Sequence, residues 1–117
     1  MQVILKRPGE PAEVGFLTTE DSIYNFLDGV PSYDPFFTPS GNMYFVGYKF
    51  VVDFNITPFN MWLGGVQYFG NIFICSRAII NGEFTFLSLS DDDLEDIFNR
   101  LDWSDADKRC LMHSDTF

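Results

Sequence analysis

Residues 72–101 run IFICSRAIINGEFTFLSLSDDDLEDIFNRL, and their reading decides the fold. Ile72-Phe73-Ile74-Cys75 is a short apolar run of β-branched and aromatic residues, and Ala78-Ile79-Ile80 continues it. Asn81-Gly82 is a strong hairpin-turn signal, because Gly accepts positive φ freely and Asn nearly so. Phe84 and Phe86 then alternate with Thr85 and Ser88, as in a strand with one buried face. Ser90-Asp91-Asp92-Asp93 starts a helix: Ser90 caps free amide hydrogens, and the aspartates lie at the positive end of the helix dipole. Leu94, Ile97, Phe98 and Leu101 fall at i, i+3, i+4 and i+7 and make one apolar stripe. That spacing leaves Asp92, Glu95, Asp96 and Asn99 on the water side and lays the helix on the preceding strands.

Outward from this stretch, residues 2–6 alternate, with Val3 and Leu5 opposite Ile4 and Lys6. Pro8-Gly9-Glu10-Pro11 turns the chain, and residues 13–17 alternate again, which predicts a β-hairpin. Thr18-Thr19-Glu20-Asp21 opens a short helix with either Thr as cap and Ile23, Phe26 and Leu27 on its inner face. Gly29 is placed to stop that helix, and Pro31 keeps it from resuming. Residues 32–40 carry Pro35 and Pro39 and read as a loop or short edge strand. Gly41-Asn42 is a turn. Residues 43–54 read as one bent strand broken by Gly47 and Lys49, and residues 55–70, with Pro58, Gly64-Gly65 and Gly70, read as a long loop of the kind that often carries function. Ser104 is placed to cap one more short helix in a tail, 102–117, whose end frays. The resulting fold class is α+β: an antiparallel sheet of about five strands with two helices packed mainly on one face, in one domain over 1–117.

Seventeen acidic residues face seven Lys and Arg, a net charge of −10, so direct binding to nucleic acid is not expected. The two cysteines form no spacing pattern, and Cys75 in an apolar strand reads as a buried thiol. The first residues lack the apolar core of a secretory signal, no apolar run is long enough to span a membrane, and a reducing cytoplasm is the expected compartment. Residues 55–57 match a glycosylation sequon that has no use in that compartment.

The hairpin with its Lys6-Arg7-Pro8-Gly9-Glu10-Pro11 turn, the helix to Gly29, Gly70-Asn71-Ile72-Phe73-Ile74-Cys75, Asn81-Gly82-Glu83-Phe84 and Leu87-Ser88-Leu89-Ser90-Asp91-Asp92-Asp93-Leu94 together carry a resemblance. In order and pattern, over residues 1–30 and 55–101, the chain resembles a family of small uncharacterised proteins carried by phages, plasmids and other mobile elements of gut bacteria. Relatives of that kind carry a Pro-Asn-Arg-like segment. Pro58-Phe59-Asn60-Met61 keeps the Pro and Asn without the Arg, so a role needing a cation there does not carry over. The aromatic middle and acidic tail also depart from the pattern. The resemblance implies no activity. It implies a setting, an accessory protein acting in the cytoplasm of a bacterial host.

Two constellations carry the functional expectations. Asp91, Asp92, Asp93, Glu95, Asp96, Asp102, Asp105 and Asp107 stand against Arg100, which puts seven of the ten net negative charges in seventeen residues. Acids four apart on a helix lie about 6 Å apart, comparable to neighbouring phosphates. Such a face can imitate DNA and occupy a basic groove of a host defence or nucleic-acid-binding protein. The plainer reading is a solvated helix face. The second constellation is aromatic. Tyr44, Tyr48, Asn60, Trp62 and Tyr68, with Asn55 and Phe69, form a candidate pocket for stacking a base, as in a protein that sequesters a nucleotide signal. Its plainer reading is core packing, and with aromatic residues at 18% of the chain a share of the rings is expected at a pocket or interface. A third alternative is an oligomerisation or scaffold domain.

Catalysis, metal binding and a cofactor are not expected. Asp91-Asp92-Asp93 lacks the spacing of a calcium loop, Gly64-Gly65 lacks the Lys of a phosphate loop, and Cys110 with His113 sits in the tail without a third orienting group.

Overall fold

The structure, a computed structural model, describes residues 1–100. The elements run β1 (Gln2–Lys6), β2 (Glu13–Phe16), α1 (Glu20–Leu27), β3 (Pro31–Phe37), β4 (Met43–Lys49), β5 (Phe59–Leu63), β6 (Val66–Phe69), β7 (Ile72–Ile80), β8 (Glu83–Leu87) and α2 (Asp91–Arg100). The main sheet has strand order β2-β1-β7-β4-β3, with β8 also paired to β7, and every pairing is antiparallel. β5 and β6 form a separate two-stranded hairpin. The fold is α+β, as the sequence implies. The tail expected to form a further helix, with Leu101, Asp102, Asp105, Asp107, Cys110 and His113, lies outside the described residues.

β7 is the spine of the sheet. It pairs β1 and β4 through its first half and β8 through its second. The two runs expected at 72–75 and 78–80 are thus one strand, turned back at Asn81 (φ 52) and Gly82 (φ 79).

The strands are covered on both faces. Ile4, Val46, Ile72 and Ile74 join a core with the β5–β6 hairpin and with Leu94, Ile97 and Phe98 of α2. Val3, Leu5, Phe45, Phe73 and Cys75 join a second core with Ile23, Phe26 and Leu27 of α1. The expectation that both helices pack mainly on one face is therefore corrected: α1 and α2 lie on opposite faces. Cys75 is fully buried, and burial pushes its thiol up to about 12, opposed in part by Arg77, so it is an inert core residue.

The helix starts follow the sequence. Thr19 and Ser22 form a reciprocal capping box on α1, and Ser90 with Asp93 does the same for α2. At the end of α1 the left-handed residue is Asp28 (φ 58), not Gly29. Gly29 packs against the Lys49 stem, which a Cβ there would meet at 2.8 Å and have to displace.

Of the two readings of residues 32–40, the edge strand holds, and two further segments differ from expectation. Residues 31–37 form a seven-residue strand at the edge of the sheet. The main-chain bonds Phe50 N to Val30 O and Thr38 N to Asn42 O show that the even-numbered positions face β4. The odd positions face outward, and Pro31 and Pro35 occupy two of them, where no donor is required. The strand from Met43 ends at Lys49, not at 54. The expected loop 55–70 contains β5 and β6, joined through Gly64 and Gly65 at φ 59 and 80.

Candidate functional site

The acidic helix and the β3–β4 turn meet at Asp96. Thr38, Ser40 and Asn42 come from the turn and Tyr44 from the start of β4. The Asp96 carboxylate accepts hydrogen bonds from Thr38 Oγ1 (3.0 Å), Ser40 Oγ (2.7 Å), Asn42 Nδ2 (2.9 Å) and the Tyr44 hydroxyl (3.0 Å). Asp96 is only 6% exposed. Burial raises its carboxyl, but the bonds from Asn42, Ser40, Thr38 and Tyr44 outweigh burial and hold it down at about 2. Placing Asp96 on the water side is corrected: it is an internal anion that accepts from these four neutral groups of the β3–β4 region.

Asp93 is also occupied. Its carboxylate accepts from the Ser90 amide at 2.8 Å and shares with Asp96 the single hydrogen of the Tyr44 hydroxyl, 3.1 Å away. Asp91, Asp92 and Glu95 are exposed. Of the acids expected to meet a partner, the described part of α2 presents these three outward.

The five residues of the expected aromatic pocket do not converge. Tyr44 is buried under α2, and burial, then its bonds to Asp96 and Asp93, push its phenol well above the usual range. Trp62 is 48% exposed, between buried Met61 and Leu63. Asn60 is buried, where its Nδ2 donates to the Lys6 and Gly70 carbonyls at 2.9 and 2.7 Å while its Oδ1 accepts from Lys6 Nζ at 3.1 Å. It pins the β5–β6 hairpin to β1. Asn60→Ala strands the buried Lys6 carbonyl and frees the part-buried Gly70 carbonyl, and is expected to cost about 2 kcal/mol in urea unfolding. No change in midpoint would show that the hairpin docks by apolar packing alone.

Tyr48 and Tyr68 do meet, with ring centroids 5.3 Å apart. Their hydroxyls donate to the two oxygens of Asp34 at 3.1 and 3.2 Å, and burial, then the Asp34 charge, push the Tyr68 phenol up. They line a hollow of about 390 Å³ with Asp34, Lys49, Phe54 and Phe69. Asp34 escaped sequence reasoning because nothing near it in a segment read as a loop or short edge strand shows that Tyr48 and Tyr68 come to its carboxylate. Beside the hollow, Phe50, Val51, Phe54 and Ile56 are 68% to 80% exposed.

Among the described residues no group of three or more His, Cys, Asp or Glu could hold a metal ion, and no helix is long and apolar enough to cross a membrane. Comparison with protein-family models, curated proteins and solved structures finds no match.

Proposed function

We propose that the chain is a non-catalytic binding protein that docks on a basic surface of another protein. In the mobile-element setting that the resemblance implies, that partner is a host defence or nucleic-acid-binding protein, which the contact inhibits. The observation that carries this reading is the one-sided surface charge. Asp91, Asp92 and Glu95 project from α2 and meet no cation among the described residues. Four of the described cations are engaged within the chain. Lys6 is buried against Asn60, Arg7 pairs with Glu13 and lies over Phe26, the Lys49 stem packs on Gly29, and Arg77 lies over Phe45 and Phe86. Complementary charge of this kind governs encounter rate and choice of partner more than final affinity.

The test is binding to a panel of bacterial nucleases and defence complexes across a salt series, with Asp91→Lys, Asp92→Lys and Glu95→Lys combined. These positions are exposed, so the variant keeps the Asp96 cradle. We expect at least about tenfold weaker binding, mainly through a slower on-rate, and a similar loss at high salt. Affinity indifferent to both sinks the proposal.

The hollow between Tyr48 and Tyr68 supports a second reading, a small-ligand module. A thermal-shift screen with cyclic dinucleotides decides it, and no shift across the panel removes it. Self-association, the third reading, would use the apolar segment 50–56, and a monomer in light scattering at all concentrations excludes it.

A further inference from the structure

A larger hollow, about 520 Å³, opens on the other face of the sheet, between α1, β3 and β8. Ile23, Val30 and Pro31 supply aliphatic walls, and Tyr24, Tyr33 and Phe86 supply three rings from three separate elements. The ring floor is fixed. Tyr33 stacks on Phe86 with centroids 3.9 Å apart and meets Phe73 edge-on at 5.9 Å. Glu20 and Asp21 stand at the rim, and among the described residues no Lys or Arg lines the space, although the Arg77 guanidinium lies over the Phe86 ring at 5.2 Å from its centroid. The Thr19 and Ser22 hydroxyls perform the capping of α1, so neither carboxylate is used for it. Neither meets a cation among the described residues.

From this combination we infer that the hollow between α1 and β8 binds a small organic cation with an aromatic or aliphatic body. The volume suits a ligand of ordinary small-molecule size. The half-exposed Tyr24 ring is free to attract a cation, the stacked Tyr33–Phe86 pair and the aliphatic walls accept its apolar frame, and two carboxylates at the mouth favour positive charge and repel phosphates and carboxylates. The Tyr48–Tyr68 hollow lacks this bias, because Lys49 lines it and Asp34 is already bonded to two phenols. The site lies across the sheet from α2 and does not depend on the acidic-face reading.

The test titrates the full chain with benzamidine, benzamide and benzoate, probes of nearly one shape that are cationic, neutral and anionic, followed by NMR. Benzamidine is expected to shift Ile23, Tyr24, Tyr33 and Phe86 resonances and to bind about tenfold tighter than benzamide, with benzoate weakest. Glu20→Gln with Asp21→Asn should reduce benzamidine to the affinity of benzamide and leave benzamide unchanged. Tyr24→Ala should weaken both. Equal affinity for the three probes, shifts that map elsewhere, or no shift at all overturns the inference.

Discussion

Asp96→Ala is expected to destabilise the fold by about 3 kcal/mol, because it removes the charged acceptor shared by Thr38, Ser40, Asn42 and Tyr44 and opens a void at a buried position. The full sum of four charged hydrogen bonds is not lost. Ser40 and Asn42 are exposed and regain water, while buried Thr38 and Tyr44 keep Ser40 Oγ at 2.7 Å and Asp93 Oδ1 at 3.1 Å as their remaining partners. Asp96→Asn preserves the shape and should cost less, about 1–2 kcal/mol. The pH dependence separates charge from shape. The Asp96 carboxyl falls from an ordinary 3.8 to about 2 in the folded chain, so its stabilisation is fully present above pH 4 and is lost as pH drops from 4 towards 2. Urea unfolding of both proteins across that window should show the gap between native and Asp96→Asn closing as pH falls. A gap that stays constant from pH 5 to 2 would falsify the charged cradle.

Gly47→Ala is expected to cost about 3 kcal/mol, near the top of the range for overpacking a core. Gly47 pairs with Tyr33 on one side and Phe73 on the other, a row across the centre of the sheet. A Cβ at Gly47 would lie 2.3 Å from the Phe73 ring, which itself meets Tyr33 edge-on. Trimming the ring should relieve the strain. Gly47→Ala with Phe73→Leu is expected to be more stable than the sum of the two single changes predicts, by about 1–2 kcal/mol in a double-mutant cycle. Simple additivity would show that β4 bends away and the glycine is not there for the ring.

That same glycine shows where sequence reasoning stops. Gly47 reads as a break in a strand, because its purpose is set by Phe73, twenty-six positions away. Features with both partners in one short window were legible: the capping boxes at Thr19 and Ser90, the Asn81-Gly82 hairpin, the first hairpin and the apolar stripe of α2. The β5–β6 hairpin was obscured by a register shift between Phe59 and Met61, which breaks the alternation a strand is recognised by. The two-sided sheet did leave a signal, since Val3-Ile4-Leu5 and Ile72-Phe73-Ile74-Cys75 are continuous apolar runs rather than alternating ones. For Asp96 the local signal pointed the wrong way. A carboxylate on a helix belongs in water unless donors are brought to it, and its donors lie more than fifty residues upstream. The candidate sites divide likewise. Aromatic character marked Tyr48 and Tyr68 but could not tell them from Tyr44 and Trp62, whose surroundings only the folded chain defines.

The two prolines of β3 have a consequence for how this molecule meets others. Its outermost strand offers hydrogen-bond donors outward only at Tyr33 and Phe37, so an incoming strand cannot zip along it. With two of its four outward donors missing, that edge is a poor template for a second copy or a foreign chain. What is left for contact there is the chemistry of side chains, which can change one residue at a time while the hydrogen-bonded scaffold beneath stays the same.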